Sequence, residues 1–515
     1  QPQKSYKQTL NLPATDFPMK ANLVRNEPAS IDRWTRQNLY QQIRRREHPK
    51  GRYVFHDGPP YANGSIHLGH LLNKVLKDLV VRSKTMAGYD VPFVPGWDCH
   101  GLPIEHKVMQ ELGERAAVMS SLQIRQRCQD DARKYIDLQR SQLQRLMTLA
   151  DYEHPYLTMT PDYEAAVLDV FADLVDRGLV YRALKTVHWS IANQTALADA
   201  ELEYQEREDT SVYVMFELVD PSRLPDLANH LASEPISLMI WTTTPWTLPA
   251  NLAVAVHKRF DYGLYQVRCG GRAQLAVIAT ELAAKVIAAA GGTAGEPLET
   301  WKGTHLLAGD ALEYRHPFVD RTGPIVAADY VTLDDGTGLV HTAPGHGVED
   351  YETGLREGLD IYCPVQADGT FDQTVPSWLQ GKSVWDANDL VVNRLRTSGH
   401  LFFDDPITHS YPHDWRSKTP VIFRATEQWF VGVDRPIQDA DGLLPSASLR
   451  DLAMRCTQDQ VKFVPDWGRN RMRGMLESRP DWCLSRQRVW GLPIPAFYYQ
   501  SPDQFLLTSD SVRAI

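Results

Sequence analysis

The sequence predicts an α/β nucleotide-binding fold interrupted by a mostly β inserted domain, and three observations carry that prediction. Up to about residue 185, strand, turn and helix patterns alternate, as a parallel sheet with crossover helices requires. From Val187 to Pro406 the texture changes to short β-rich runs between Gly- and Pro-rich turns. Val421–Arg424 and Gln428–Phe430 then resume an α/β character, so an insertion is the economical topology. The expected divisions are an N-terminal arm over 1–50, the first half of the nucleotide fold over 51–186, the insert over 187–406 and the second part of the nucleotide fold over 407–515.

The 515 residues are too many for a single core. With no apolar run near the ~20 residues that span a bilayer, and no apolar signal segment in Gln1-Pro-Gln-Lys-Ser-Tyr6, the chain is expected to be cytoplasmic and to have no membrane partner. Six cysteines without C-x-x-C spacing are expected to be free thiols. The net charge of −10 argues against indiscriminate nucleic-acid binding but leaves room for local basic tracks at Arg44–Arg46, Arg469–Arg473 and Arg486 with Arg488.

Along the chain, Ser30 or Asp32 is expected to cap a helix containing Trp34, Leu39 and Ile43. Tyr53-Val54-Phe55 reads as a short strand, and Gly58, Pro59, Pro60 and Gly64 enforce a turn. Leu68, Leu71, Leu72, Val75, Leu76 and Leu79 recur at helical spacing, so a helix begins near His67. Its free N–H groups and dipole favour a phosphate, and His67 and His70, one turn apart, can donate to it. Asp98 follows a Gly-Trp turn, which places a carboxylate at the carboxyl end of a strand, where it could hold a substrate ammonium. Leu122–Leu149 reads as a long amphipathic helix with Leu138, Leu143 and Leu146 on its core side. In the insert, Ser211–Glu217, Ile236–Trp241, Leu252–Val256 and Tyr262–Val267 read as strands and Leu282–Ala290 as a helix.

The run Pro60-Tyr-Ala-Asn-Gly-Ser-Ile-His-Leu-Gly-His70, followed by Gly96-Trp-Asp-Cys-His-Gly-Leu-Pro103, resembles the first half of the active site of class I aminoacyl-tRNA synthetases. That resemblance implies a Rossmann-type catalytic fold with a mostly β editing domain inserted. It implies carboxylate attack on the α-phosphate of ATP, with ATP and Mg²⁺ as cofactors and tRNA as partner, in a protein acting as a monomer. Such chemistry rests on positioning and charge stabilisation. His67 and His70 would stabilise the developing charge, while Gly64 and Gly69 would let the ATP approach. By the same resemblance Pro59 and Tyr61 would line the amino-acid pocket, and Trp490, in Trp482-Cys-Leu-Ser-Arg-Gln-Arg-Val-Trp-Gly491, would pack against the substrate's apolar side chain.

Two segments of the insert narrow the branch. Trp241-Thr-Thr-Thr-Pro-Trp-Thr-Leu-Pro-Ala-Asn251 and Asp335-Gly-Thr-Gly-Leu-Val-His-Thr-Ala-Pro-Gly-His-Gly-Val-Glu-Asp-Tyr351 resemble the editing domain shared by the isoleucyl, valyl and leucyl enzymes. The T-T-T-P-W form is similar to the isoleucyl version, which implies isoleucine and tRNA(Ile) as substrates. The valyl enzyme is the rival within the family, and a tRNA-binding or editing-only module is the rival outside it. A pocket for isoleucine discriminates against valine by only about 1–3 kcal/mol, a value known for such sites rather than derived from this chain, so a second, hydrolytic site is expected. There Asp350 would bind the α-ammonium of misattached valine. His341 and Asn251 would fix the terminal adenosine and the aminoacyl group, and Thr242, Thr243 and Thr244 would place the attacking water or limit the pocket. The K-M-S-K-S signature and the helical anticodon-binding domain of full-length members are not found, so the chain is expected to be part of a longer protein and to activate isoleucine poorly by itself. Some members carry metal-binding cysteines near His188–Asn193; Ser190 and Asn193 cannot serve as thiolates, and no zinc is expected.

Overall fold

The structure, a computed structural model, describes residues 9–11, 13–224, 235–269, 271–307, 312–438, 447–501 and 504–515. The opening run Gln1–Tyr6, read from the sequence, lies outside the described residues. The chain forms two compact units, one of Gln1–Val170 with Arg488–Pro493 and one of Phe171–Gln487 with Ile494–Ile515. No helix among the described residues is long and apolar enough to cross a membrane.

In the first unit the arm holds two helices, α1 (Leu23–Arg36) and α2 (Leu39–Arg44), where one was expected. Ser30 and Asp32 lie inside α1 and cap nothing; the chain enters the two helices through Asn22 and Asn38, both left-handed at φ 44° and 47°. Asparagine tolerates that conformation better than most side chains. Helix α3 (Leu68–Met86) starts where its apolar spacing indicated, with His67 as N-cap.

Strand β1 (Gly96–Trp97) precedes α4 (Leu102–Leu112), α5 (Ser121–Arg145) and β2 (Tyr156–Leu157), with which β1 pairs in parallel. Tyr53-Val54-Phe55 is not a strand. Beside it Arg52 makes a single parallel bridge with Asp90, with Tyr53 and Phe55 half-buried and Val54 76% exposed. A second parallel bridge joins Tyr61 to Asp98. Parallel pairing in this unit is thus confined to short segments, but it sets the end of β1 beside the turn that leads into α3.

Helix α5 is capped by Ser120, whose hydroxyl accepts from the Gln123 N–H. It buries Ile124, Cys128, Ala132, Ile136, Gln139 and Leu143. Leu138, expected on the core side, is exposed, because the buried stripe falls at a spacing of three to four residues that skips it. Helix α6 (Pro161–Asp176) carries the chain onward.

The second unit contains two sheets. One is four-stranded, with β3 (Val180–Ser190), β4 (Thr195–Leu197), β15 (Ile422–Val431) and β16 (Trp482–Cys483) in the order β16-β15-β3-β4. Every pairing in it is antiparallel. Of the segments expected to resume an α/β character, Ile422–Arg424 and Gln428–Phe430 therefore lie in one antiparallel strand, with Val421 just before it. Short apolar runs do not reveal the direction of their partner.

The larger sheet follows the insert. It comprises β5 (Leu202–Leu218), β6 (Ile236–Thr242), β7 (Ala253–Val256), β8 (Asp261–Cys269), β9 (Arg272–Ala279), β10 (Thr300–Lys302), β11 (Glu313–Arg315), β12 (Thr322–Ala327), β13 (Leu339–Thr342) and β14 (Leu401–Asp414). The order is β10-β8-β9-β6-β13-β7-β12-β11-β5-β14, and a further pairing of β5 with β6 closes β6-β13-β7-β12-β11-β5 into a barrel. Closure removes edges that would otherwise invite association. All four strands read from the sequence are present, and the expected helix is α7 (Thr280–Ala289). Helices α8 (Gly303–Leu306), α9 (Val348–Glu357) and α10 (Val384–Ser398) complete this part. The β5–β14 ribbon runs on to Asp414, past the expected end of the insert at 406.

Candidate functional site

In the first unit the two signature histidines cap their own helix. The His67 backbone N–H donates to His70 Nδ1 at 3.3 Å, and the Gly69 N–H donates to His67 Nδ1 at 3.1 Å. One of the N–H groups expected to be free for a ligand is therefore taken by an imidazole. Since both Nδ1 atoms accept, the neutral rings carry their protons on Nε2, which is the donor each can offer outward. Burial, with His67 and Lys74 nearby, lowers the His70 pKa and keeps that ring neutral. A Cβ on Gly69 would lie 2.9 Å from His67 Cε1, so a larger residue there would displace the His67 ring. Around Gly64 the space is open, with nothing within 4 Å of such an atom.

The turn from Tyr61 to Gly64 is held by a residue that sequence reasoning missed. Gln139 on α5 is 1% exposed; its Nε2 donates to the carbonyls of Tyr61 at 2.9 Å and Gly64 at 2.8 Å, and its Oε1 accepts from Trp97 Nε1 at 3.0 Å. A glutamine on the mostly apolar face of α5, which also buries Asp131, is the trace it leaves in the sequence. We expect Gln139→Ala to lower stability by about 2–3 kcal/mol, because it orphans two carbonyls and an indole N–H in a buried site. Denaturant unfolding of the variant checks this, and a change under 0.5 kcal/mol would contradict it.

Asp98 follows β1 as expected, and Tyr61 stands opposite it, with the Ala62 N–H donating to the Asp98 carbonyl at 2.9 Å. Burial raises the Asp98 carboxyl pKa against hydrogen bonds from His100 and Thr158, and no ion pair to it exists among the described residues. Pro59 and Tyr61 are half-buried on the same turn. Trp490 is 4% exposed, with its indole N–H bonded to the Cys99 carbonyl at 2.6 Å and its backbone N–H to Glu105 at 2.8 Å. Its ring stands edge-on to His100 at 4.9 Å. The structure thus gathers the signature turn, Asp98 and Trp490 in one unit, although Trp490 is remote in sequence. Asp57 is held by Lys74 and Lys77, and no cluster of three metal-ligating side chains exists among the described residues. The carboxylates present do not fit a protein cage for Mg²⁺, an ion that is commonly held through substrate phosphates.

In the second unit, β13 lies between β6 and β7, with Val340 opposite Trp241, and this brings the threonine run to His341. Thr242 and Thr244 hydroxyls lie 3.2 Å apart, Thr244 and Thr247 3.4 Å, and Thr247 Oγ1 is 2.8 Å from His341 Nε2. His341 Nδ1 meets Asn251 Nδ2 at 3.2 Å, and the Tyr314 hydroxyl donates to Asn251 Oδ1 at 2.5 Å. Burial drives the His341 pKa down to about 3, so this relay is neutral. Asn251 is 1% exposed with both amide atoms engaged, which suits it to positioning its neighbours. Thr243 is half-buried beside the relay.

Asp350 stands in the first turn of α9. Its Oδ2 accepts from the Ala343 N–H at 2.9 Å and its Oδ1 from the Tyr330 hydroxyl at 3.3 Å. Burial raises its pKa to about 6 against those bonds, and no ion pair to it exists among the described residues. Tyr330 was not foreseen, since nothing in the sequence links it to a loop twenty residues on.

The position near His188–Asn193 holds a hydrogen-bonded knot. Asp414, 0% exposed, accepts from Ser190 Oγ and Asn193 Nδ2, each at 2.6 Å, and from the Arg416 and Ser417 backbone N–H groups at 2.8 and 3.4 Å. Burial would raise its pKa, but bonds from Ser190, Arg416, Asn193 and Ser417 outweigh it and hold the carboxyl below its ordinary value.

Comparison with known proteins bears on these arrangements. Residues 29–514 match the family described as tRNA synthetases class I (I, L, M and V). The isoleucine–tRNA ligase of Carboxydothermus hydrogenoformans is 44% identical over 99% of this chain and 52% of its own length. Those of Nitratidesulfovibrio vulgaris, 46% over 99% and 52%, and Fervidobacterium nodosum, 47% over 98% and 51%, are similar. The chain spans about half the length of the curated relatives it matches.

Proposed function

Since the chain belongs to the class I tRNA synthetases for isoleucine, leucine, methionine and valine, we propose that it serves an isoleucine–tRNA ligase, activating isoleucine with ATP for transfer to tRNA(Ile) and hydrolysing valyl-tRNA in its inserted, editing part. The observation that carries this reading is a matched pair of carboxylates. Asp98 and Asp350 lie in different units, and burial raises the carboxyl pKa of each, with no salt bridge to either among the described residues. A substrate ammonium would supply the missing charge in both places.

In the first unit, Asp98 would hold the ammonium of isoleucine while Pro59, Tyr61 and Trp490 bound its side chain. His67 and His70 would present Nε2–H donors to the ATP phosphates, with Gly64 and Gly69 leaving the approach clear. Among the described residues no side chain would hold Mg²⁺; bound through the substrate's phosphates, it would supply charge neutralisation. The twofold support of the chemistry is positioning and charge stabilisation, with no protein nucleophile. In the second unit, Asp350 would hold the ammonium of a misattached valine, and Thr242, Thr243 and Thr244 would order the attacking water. His341 and Asn251 would keep the hydroxyl relay in register.

The test is to titrate the 515-residue chain with a non-hydrolysable isoleucyl-adenylate mimic and with its valyl counterpart. The isoleucyl mimic is expected to bind about 10–200-fold more tightly, the range that one methylene provides. Asp98→Asn should weaken both by about ten- to a hundredfold. Equal affinities, or preference for the valyl mimic, would sink the isoleucine reading.

A further inference from the structure

Trp490 reaches the first unit on a segment, 488–493, that belongs to no helix or strand. Backbone N–H and carbonyl groups in such a segment have no ladder to satisfy them, so where it is buried their partners come from elsewhere. Two charged side chains that the function above leaves unused supply them. On α4, Glu105 is buried among Leu102, Pro103, Ile104 and Val108; its Oε2 accepts from the Trp490 N–H at 2.8 Å, and its Oε1 lies 3.3 Å from Arg488 Nη1. On α5, half-buried Arg125 donates from Nη1 to the Val489 carbonyl at 2.7 Å and to the Gly491 carbonyl at 3.0 Å, and its guanidinium stands 5.4 Å from the centre of the Trp490 ring. The peptide that joins Val489 to Trp490 is thus held at both poles, its carbonyl by Arg125 and its N–H by Glu105. A planar group held in that way cannot rock. The next carbonyl, of Trp490 itself, accepts from the Gly101 N–H at 3.0 Å. With the indole N–H on the Cys99 carbonyl, every polar group of Trp490 is engaged, and its ring joins the apolar cluster of Ala62, Trp97 and Cys99.

We propose that Glu105 and Arg125 are positioning residues that set the amino-acid selectivity of the first unit by fixing where the Trp490 ring stands, a role that rests on the reading that Trp490 packs against the substrate's side chain. They act through Trp490. The Val489–Trp490 peptide sets the direction in which the Trp490 Cβ leaves the chain, and the indole bond to Cys99 then sets the ring. Isoleucine exceeds valine by one methylene, and the attraction of a wall for that group survives only at contact distance: a gap of about 0.5–1 Å forfeits about a quarter to a half of it. A wall that is free to rock therefore loses its preference for the larger side chain before it loses its affinity for the smaller one.

The 515-residue chain and its variants are titrated with the non-hydrolysable isoleucyl- and valyl-adenylate mimics. The readout is the ratio of the two affinities, because a loss of folded protein lowers both alike and leaves the ratio unchanged. Arg125→Met and Glu105→Ala are each expected to cut the ratio by about fivefold while valyl binding stays within about twofold of the parent's. Glu105→Gln, which keeps an acceptor for the Trp490 N–H, should recover most of the ratio. Arg127→Met, on the same helix as Arg125 but paired with Glu111 at 3.2 Å, should retain it. Where circular dichroism shows one of the two clamp variants unfolded, the other carries the test. An unchanged ratio in the folded clamp variants would overturn the proposal, whereas a parent that binds the two mimics equally would overturn the isoleucine reading. The clamp is also judged without ligand. With 5-fluorotryptophan incorporated, the fluorine resonance of Trp490, assigned through Trp490→Phe, should shift or broaden in Arg125→Met and Glu105→Ala and stay in place in Arg127→Met; a resonance that stays in place in all three would overturn the clamp whatever the pocket prefers.

Discussion

Asp350→Asn is expected to make the chain more stable and less active. The folded carboxyl titrates near 6, above its ordinary value of 3.8, so the folded state holds the proton more tightly than the unfolded one. Stability is accordingly greatest below pH ~4, declines as pH rises towards 6, and stays at the lower level above it. Two pKa units correspond to about 3 kcal/mol, and partial solvent access reduces this to about 1–3 kcal/mol. Asparagine keeps an acceptor for the Ala343 N–H and turns its amide N–H to the Tyr330 hydroxyl oxygen, and it carries no charge. Its thermal midpoint should exceed the parent's by about 2–4 °C at pH 7.5, with the difference vanishing below pH 4. In the proposed reaction the loss of a charge-assisted bond to the valyl ammonium should slow deacylation of valyl-tRNA by about ten- to a hundredfold. For the unsubstituted chain, deacylation should fall as pH drops through 6, because the carboxylate that binds the ammonium is being protonated. A variant that melts lower than the parent, or clears valyl-tRNA at the parental rate, would remove Asp350 from the proposed site.

Asp414→Ala is expected to destabilise the second unit by about 3–5 kcal/mol. It strips the acceptor from Ser190, Asn193 and two backbone N–H groups at a position that is 0% exposed. Because the folded carboxyl is held below its ordinary value, its contribution is present above pH ~4 and is lost as pH falls through the folded pKa. The variant and parent should therefore converge in stability on acidification. Hydrogen bonds from Ser190 and Asn193 to Asp414 tie their loops together. Elemental analysis is expected to return no zinc, and EDTA should leave the melting curve unchanged. A stoichiometric zinc atom, or a chelator-sensitive melt, would contradict that account.

The sequence was legible wherever a pattern is local. The apolar spacing after His67 set the start of α3, and alternation within the insert located β5, β6, β7 and β8, because a strand or helix shows its own period in its own residues. The motifs around His67, Asp98, Thr242–Thr244 and Asp350 were also readable, since the backbone turn and the side chain that uses it lie in one short run. What the tertiary structure alone decided is pairing over distance. The antiparallel partner of Ile422–Val431, the closure of the barrel through β5 and β6, and the reach of Gln139 to the signature turn depend on contacts between residues far apart in the chain. So do the burial of Asp350 against Ala343 and Tyr330 and the knot at Asp414. A residue type states what it can donate, accept or ionise; only packing determines which partner arrives, how much water is excluded, and hence which protonation state the folded protein holds.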